Sequence, residues 1–189
     1  MAIDSETLTP NQAARRNRVL DAAMDLAAEG GYDAVQMRDV ATRAQVALGT
    51  IYRYFSSKDH LLAACQVELW RGRMSQRVPD GKTPGDRVVA FLTRAMRGAS
   101  SEPERMAALI TASSSPDPAV RECQIEIMAM IDASLEAAMG DHVDPNRRQR
   151  IAITLRQLWF SWLLNWVNGW NDAPTVTTQL ESAARLLLD

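Results

Sequence analysis

Histidine and cysteine are almost absent from this chain of 189 residues, two of each, and each scarcity removes a class of chemistry. Cys65 and Cys123 are too few for a disulfide framework and lack metal-ligand spacing, so both are expected as buried free thiols. His60 and His142 stand alone, with no His-Glu-x-x-His run, no Gly-x-Ser-x-Gly elbow and no glycine-rich phosphate loop. A helical enzyme is the reading these absences count against, and no catalytic residue, metal site or cofactor is expected. Glycine and proline are sparse, and no stretch reads as low-complexity or as a repeat array. No apolar run approaches the roughly 20 residues of a membrane span. Residues 1–12 are polar and acidic, unlike a signal peptide or a transit sequence. A cytoplasmic protein with no membrane partner is therefore expected. A basic excess is missing too: 21 Lys and Arg face 23 Asp and Glu, a net charge of −2. Screening beyond roughly 10 Å lets an acidic body sit behind a basic face, so local pattern must decide whether nucleic acid is a partner.

What is present is helix-forming. Alanine, leucine, methionine and arginine dominate, and β-branched residues rarely alternate with polar ones. Thr9-Pro10-Asn11-Gln12 is a capping box with proline at the first helical position. The helix it opens carries Val19, Ala23, Leu26 and Ala27 on one face and stops at Gly30-Gly31; Arg15, Arg16 and Arg18 lie near its start. A short helix is expected over 36–44, with Met37, Val40, Ala41 and Ala44 inward. A break at Gln45-Val46-Ala47 leads to a second over 48–55. Two short helices joined by a tight turn, resting on a longer one, form a helix-turn-helix. Ser56-Ser57-Lys58-Asp59 then caps a helix over 58–77. Others are expected over 84–98, 103–112, 118–139 and 145–170, with a last one holding Val176, Leu180, Ala183, Leu187 and Leu188. The fold class is all-α, about nine helices, with a DNA-binding domain over 9–56 and a larger helical domain over 57–189.

The second short helix has the two faces that a groove reader needs. Ile51 and Phe55, four residues apart, seat it. Gly49, Thr50, Arg53 and Tyr54 are expected outward, with Tyr52 at the margin. Gly49 admits close backbone approach, Thr50 and Tyr54 hydroxyls suit phosphate oxygens, and Arg53 suits a guanine edge or a phosphate. Lys58, opening the next helix, would set a charge and free N–H groups beside a phosphate. Gln36 and Arg38 are further candidates. The plainer alternative for Arg38 and Arg53 is a surface ion pair with Asp33 or Asp39.

The stretch 31–62, GYDAVQMRDVATRAQVALGTIYRYFSSKDHLL, resembles the DNA-binding signature of the TetR/AcrR family of bacterial regulators. The likeness lies in Gly31-Tyr32, Arg38-Asp39-Val40-Ala41, Gly49 to Phe55, and Ser57-Lys58-Asp59 with Leu61-Leu62. It implies a homodimer bound to a palindromic double-stranded operator and released by a small effector. Ala47 departs from the capping residue usual in the family, at a cost of about 1 kcal/mol to the helix it precedes. Leu48 stands where a polar residue is common and could touch a thymine methyl. A narrower likeness, carried by Val35-Gln36-Met37-Arg38, His60-Leu61-Leu62, Leu158-Trp159 and Ala184-Arg185-Leu186-Leu187, is to the KstR-type regulators of cholesterol catabolism. It implies a bulky apolar effector such as a steroid- or fatty-acyl-CoA thioester.

Beyond the signature, Trp159, Trp162, Trp166 and Trp170 are spaced by three, four and four, with Leu163 beside them. At 100° per residue they share an arc of roughly 80°. Phe160 and Leu164 point elsewhere, so this helix must be covered on more than one side. The resemblance implies that the last two helices pair with those of a second subunit. Part of the tryptophan stripe is therefore expected in that interface and part in a pocket wall. Met96, Met106, Ile110, Met128, Met130 and Met139 are adaptable apolar filler. The expected pocket residues are Met96, Met106, Ile110, Met128, Trp159, Trp162, Leu163 and Trp166. A rival reading, an efflux-gene repressor sensing cationic or aromatic compounds, needs pocket acids, for which Glu122, Glu126 and Asp132 are available.

Overall fold

Capping decides where the helices begin. In the computed structural model, which describes residues 9–74 and 78–188, Thr9 and Gln12 exchange both bonds of the expected capping box. Thr83 and Asp86 form a second box, and Asp144 caps its helix through the Arg147 N–H at 3.0 Å. The described residues form nine helices and no strand: α1 (Pro10–Ala34), α2 (Met37–Ala44), α3 (Leu48–Tyr54), α4 (Lys58–Met74), α5 (Pro84–Ser100), α6 (Pro103–Ser113), α7 (Pro118–Met139), α8 (Pro145–Val167) and α9 (Ala173–Leu188). Five of them open on proline, whose missing N–H costs nothing at a first helical position. The expected stretch 75–77 of α4 lies outside the described residues.

Glycine sets two of the ends. α1 leaves helical geometry at Gly30 and Gly31, as expected, before a last turn to Ala34. Gly31 takes φ 68° and ψ −157°, a region closed to other residues. α8 stops at Val167, short of the expected residue 170, because Gly169 turns to φ 73°. Trp170 consequently leaves the tryptophan stripe and lies exposed beyond the helix.

The chain packs as two units whose membership differs from a cut at residue 56: Met1–Leu69 with Pro103–Glu126, and Trp70–Glu102 with Ile127–Asp189. In the first unit α6 lies along α1. Leu61, Leu62, Ala108, Leu109 and Ala112 enter the same core as Val19, Ala23, Val40, Ile51 and Phe55. A three-helix head of short elements cannot cover α1 alone, and burial of each large apolar side chain contributes roughly 1.5–3 kcal/mol. In the second unit α9 packs on α5 and α8, burying Val88, Leu92, Leu155, Val176 and Leu180. Arg87 there caps the end of α7, donating to the Ala138 carbonyl at 2.7 Å and the Met139 carbonyl at 2.8 Å. Residues of α4 and α7 contribute to both units.

Candidate nucleic-acid interface

The turn between α2 and α3 is built from backbone. Gln45 takes the left-handed conformation (φ 54°), and the Val46 N–H returns to the Ala41 carbonyl at 3.0 Å. Ala47 then precedes α3 without a side-chain cap, as the sequence implied. Ile51 and Phe55 are fully buried and seat the helix; Leu48, half-buried, packs against the same core.

Opposite that seat lie Gly49, Tyr52 and Arg53, all exposed, and Thr50, half-exposed. Tyr54 requires a correction. Expected outward, it is buried with 6% of its surface accessible. The reason is angular: Leu48, Ile51, Tyr54 and Phe55 fall within an arc of about 120°, while Tyr52 lies about 40° outside it. Tyr52, 53% exposed, is the more accessible tyrosine of α3. Nothing within 4 Å would meet a side chain at Gly49, so its backbone is open.

The flanking charges divide into committed and uncommitted. Arg43 holds Glu29 with two bonds of 2.6 and 2.9 Å, Arg18 donates to the Ala44 carbonyl, and Arg16 reaches Glu68 at 2.9 Å while lying over the Phe55 ring. Arg38 and Arg53 are exposed and enter no ion pair among the described residues, so the alternative pairing with Asp33 or Asp39 is not realised. Gln36, exposed, donates to the Asp33 carbonyl at 2.9 Å. Lys58 is half-buried: its ammonium lies 3.7 Å from the centre of the Tyr32 ring and donates to the Tyr32 carbonyl at 3.1 Å. Its charge is anchored rather than free to swing. The Tyr32 hydroxyl in turn donates to Asp59 at 2.5 Å, which with partial burial pushes the phenol up to about 12.

Behind this face lies a cluster that sequence reasoning missed. The Asp117 carboxylate, from the α6–α7 connection, accepts from the hydroxyls of Ser56 at 2.9 Å and Ser57 at 2.8 Å. The Ala119 N–H to its other oxygen and these hydroxyls hold the Asp117 carboxyl below its ordinary range. Ser57 Oγ accepts from the His60 N–H, and His60 Nδ1 accepts from the Ser56 N–H, both at 3.1 Å. His60 is buried edge-on to Phe55, and burial pushes its imidazole below its usual value, against the opposing pull of Asp117 and Glu122. The signal available in sequence was Asp117-Pro118, the same cap-plus-proline pattern as Asp144-Pro145.

The expected pocket residues do not gather in one unit. Met106 and Ile110 are buried in the first; Met96, Met128, Trp159, Trp162, Leu163 and Trp166 belong to the second. There Trp159 is 3% exposed, edge-on to Trp70 at 5.4 Å and to Phe91 at 6.4 Å between ring centres. Its Nε1 is buried without an acceptor. Trp162, Trp166 and Met128 are half-buried. Of the candidate acids, Asp132 is paired with Arg156 at 2.7 Å. Ile153 and Phe160 on α8 and Leu186 on α9 are exposed. Among the described residues no helix is long and apolar enough to cross a membrane, and no three metal-binding side chains cluster.

Residues 19–65 match the family described as bacterial regulatory proteins, tetR family, and residues 81–187 match a tetracyclin repressor-like C-terminal domain. The chain is 35% identical over 178 residues to the HTH-type transcriptional repressor KstR of Rhodococcus jostii, covering 94% of this chain and 84% of that protein. It superposes on a TetR transcriptional regulator from Rhodococcus sp. RHA1 with a TM-score of 0.85 and 32% identity, covering 94% and 97% of the two chains. Thermus thermophilus FadR, solved in complex with lauroyl-CoA, shares the fold at a TM-score of 0.70 and 22% identity over 91% and 92%.

Proposed function

Because the chain belongs to the TetR family of bacterial regulatory proteins, we propose that it is a ligand-responsive transcriptional repressor whose α3 reads the major groove of an operator. The observation that carries this reading is a short helix seated by Ile51 and Phe55 with an open backbone at Gly49 and uncommitted Thr50, Tyr52 and Arg53 outward. A groove about 12 Å wide admits such a helix. Thr50 and Tyr52 suit phosphate oxygens, and Arg53 suits a guanine edge or a phosphate. Arg38, Gln36, Leu48 and the anchored charge of Lys58 supply further contacts at the rim.

Two copies complete the reader. Exposed Ile153 and Phe160 on α8 and Leu186 on α9 offer an apolar seam to a second subunit, which sets two α3 helices about 34 Å apart on a palindrome. The effector is a bulky apolar molecule, an acyl-CoA thioester being the class that the FadR complex supports. In the second unit Met96, Met128, Trp162, Leu163 and Trp166 would line its site, and Trp159 Nε1–H would serve an acceptor oxygen on it. Of the three acids that a cationic effector could use, Asp132 is already paired with Arg156. Binding releases DNA only to the extent that the ligand prefers the non-binding spacing of the two heads.

The test is selection of genomic DNA fragments on the purified protein. Titration of a retained fragment follows at several salt concentrations, with long-chain acyl-CoAs and cationic dyes as challengers. A palindromic fragment released by the thioesters is the expected result. Retention without sequence preference, or a protein that stays monomeric at every concentration, overturns the reading.

A further inference from the structure

The clamp formed by Ser56, Ser57, His60 and Asp117 joins the two parts of the first unit that a DNA reader must coordinate. Ser56 and Ser57 are the whole linker between Phe55, which closes α3, and Lys58, which opens α4. Asp117 stands immediately before α7. Its carboxylate divides its work by oxygen: Oδ1 accepts from the Ala119 N–H at 2.9 Å and so caps α7, while Oδ2 accepts both serine hydroxyls. A carboxylate taking two hydroxyls is a charge-assisted arrangement, stronger than neutral pairs. The linker is also tied internally, through Ser57 to the His60 N–H and through the Ser56 N–H to the His60 ring. Further along α4, Gln66 makes a second polar tie to the same region: its Oε1 accepts from Ser113 at 3.1 Å and from Gln124 of α7 at 3.2 Å.

We propose that Asp117 is a positioning residue for the reading helix, fixing the α3–α4 linker so that α3 presents its exposed face at one angle. This rests on the DNA-reading role proposed above. The clamp adds polar restraint to a closing end that is otherwise held by the burial of Tyr54 and Phe55.

Asp117→Asn separates the clamp from the cap. The amide keeps an oxygen for the Ala119 N–H, and asparagine caps helices well. At the other position it places an NH2, which can only donate, so both hydroxyl protons must turn elsewhere and the charge-assisted bonds are lost. The experiment compares the full-length wild type, Asp117→Asn, Ser56→Ala and the double variant, using the retained genomic fragment as the DNA probe. It reads operator affinity well below the melting temperature and amide hydrogen exchange over residues 51–55. Expected are a loss of operator affinity of about tenfold for Asp117→Asn, faster exchange over 51–55 without DNA, and less-than-additive effects in the double variant. Wild-type exchange over 51–55 together with affinity within about twofold overturns the proposal, as do losses that simply add. A lower melting temperature with unchanged affinity also counts against it, since that marks a purely structural role. If the wild type retains no DNA, the reading role fails, and the exchange measurement still decides whether the clamp holds the helix.

Discussion

Two neighbours on α3, Arg53 and Tyr54, divide the labour of that helix although they are adjacent in the chain. Arg53 is exposed and enters no ion pair among the described residues, so Arg53→Ala should leave stability within about 0.5 kcal/mol of wild type. It should weaken operator binding and, if the contact is to phosphate, reduce the salt slope by about one; fluorescence anisotropy across salt concentrations measures both. Tyr54→Ala removes a buried aromatic and should cost about 3–5 kcal/mol in chemical denaturation, losing DNA binding only because the head unfolds. His60 makes a prediction in pH. Its imidazole is held neutral by burial, with Arg16 adding to that effect and Asp117 and Glu122 opposing it. The folded-state pKa therefore lies below the unfolded one. Stability is complete above about pH 6.5. It declines as the pH falls toward the folded-state value, because the unfolded chain takes up the proton first. His60→Gln should flatten that stretch of a stability-against-pH curve measured by urea titration.

The helices themselves carry one deficit and one fixed constraint. Ala47, at the capping position before α3, offers no side-chain cap and leaves the first N–H groups to backbone and solvent. Ala47→Ser should stabilise the protein by about 1 kcal/mol and slow hydrogen exchange at the start of α3. Gly31 is the opposite case. At φ 68° and ψ −157° a side chain is strained, and a Cβ would lie 3.3 Å from Glu104 Oε2. Gly31→Ala should cost about 1–3 kcal/mol, read as a lower denaturation midpoint. Most element positions were legible in the sequence because prolines, capping boxes and glycines act locally. Val167 was missed as the end of α8 because the tryptophan spacing continues past the break at Gly169.

For the molecule as a whole, the exposed apolar residues of α8 and α9 make the second subunit testable. Phe160→Glu puts a charge on the proposed seam without touching the buried core. Sedimentation velocity should show a shift from dimer to monomer, with operator affinity falling because one head alone engages one half-site. A dimer that persists with this charge would move the interface elsewhere. The grouping of α6 and the start of α7 with α1 was not legible from the sequence. Met106 and Ile110 look like the other apolar positions of the middle helices, and only packing shows that they belong beside the reading head rather than among the tryptophans.

Local rules fixed the helical class, the helix-turn-helix and the seating of α3 on Ile51 and Phe55, because caps, breaks and a four-residue repeat act between near neighbours in the chain. The side of α3 on which Tyr54 falls was legible as well, from the angle it makes with Ile51 and Phe55. Two matters were left to the tertiary structure: where Lys58 sends its charge and what Asp117 holds. Each depends on a partner 26 to 61 positions away. The ends of a long loop meet only once a hydrophobic core has brought them together, and no periodicity within a single helix encodes that meeting.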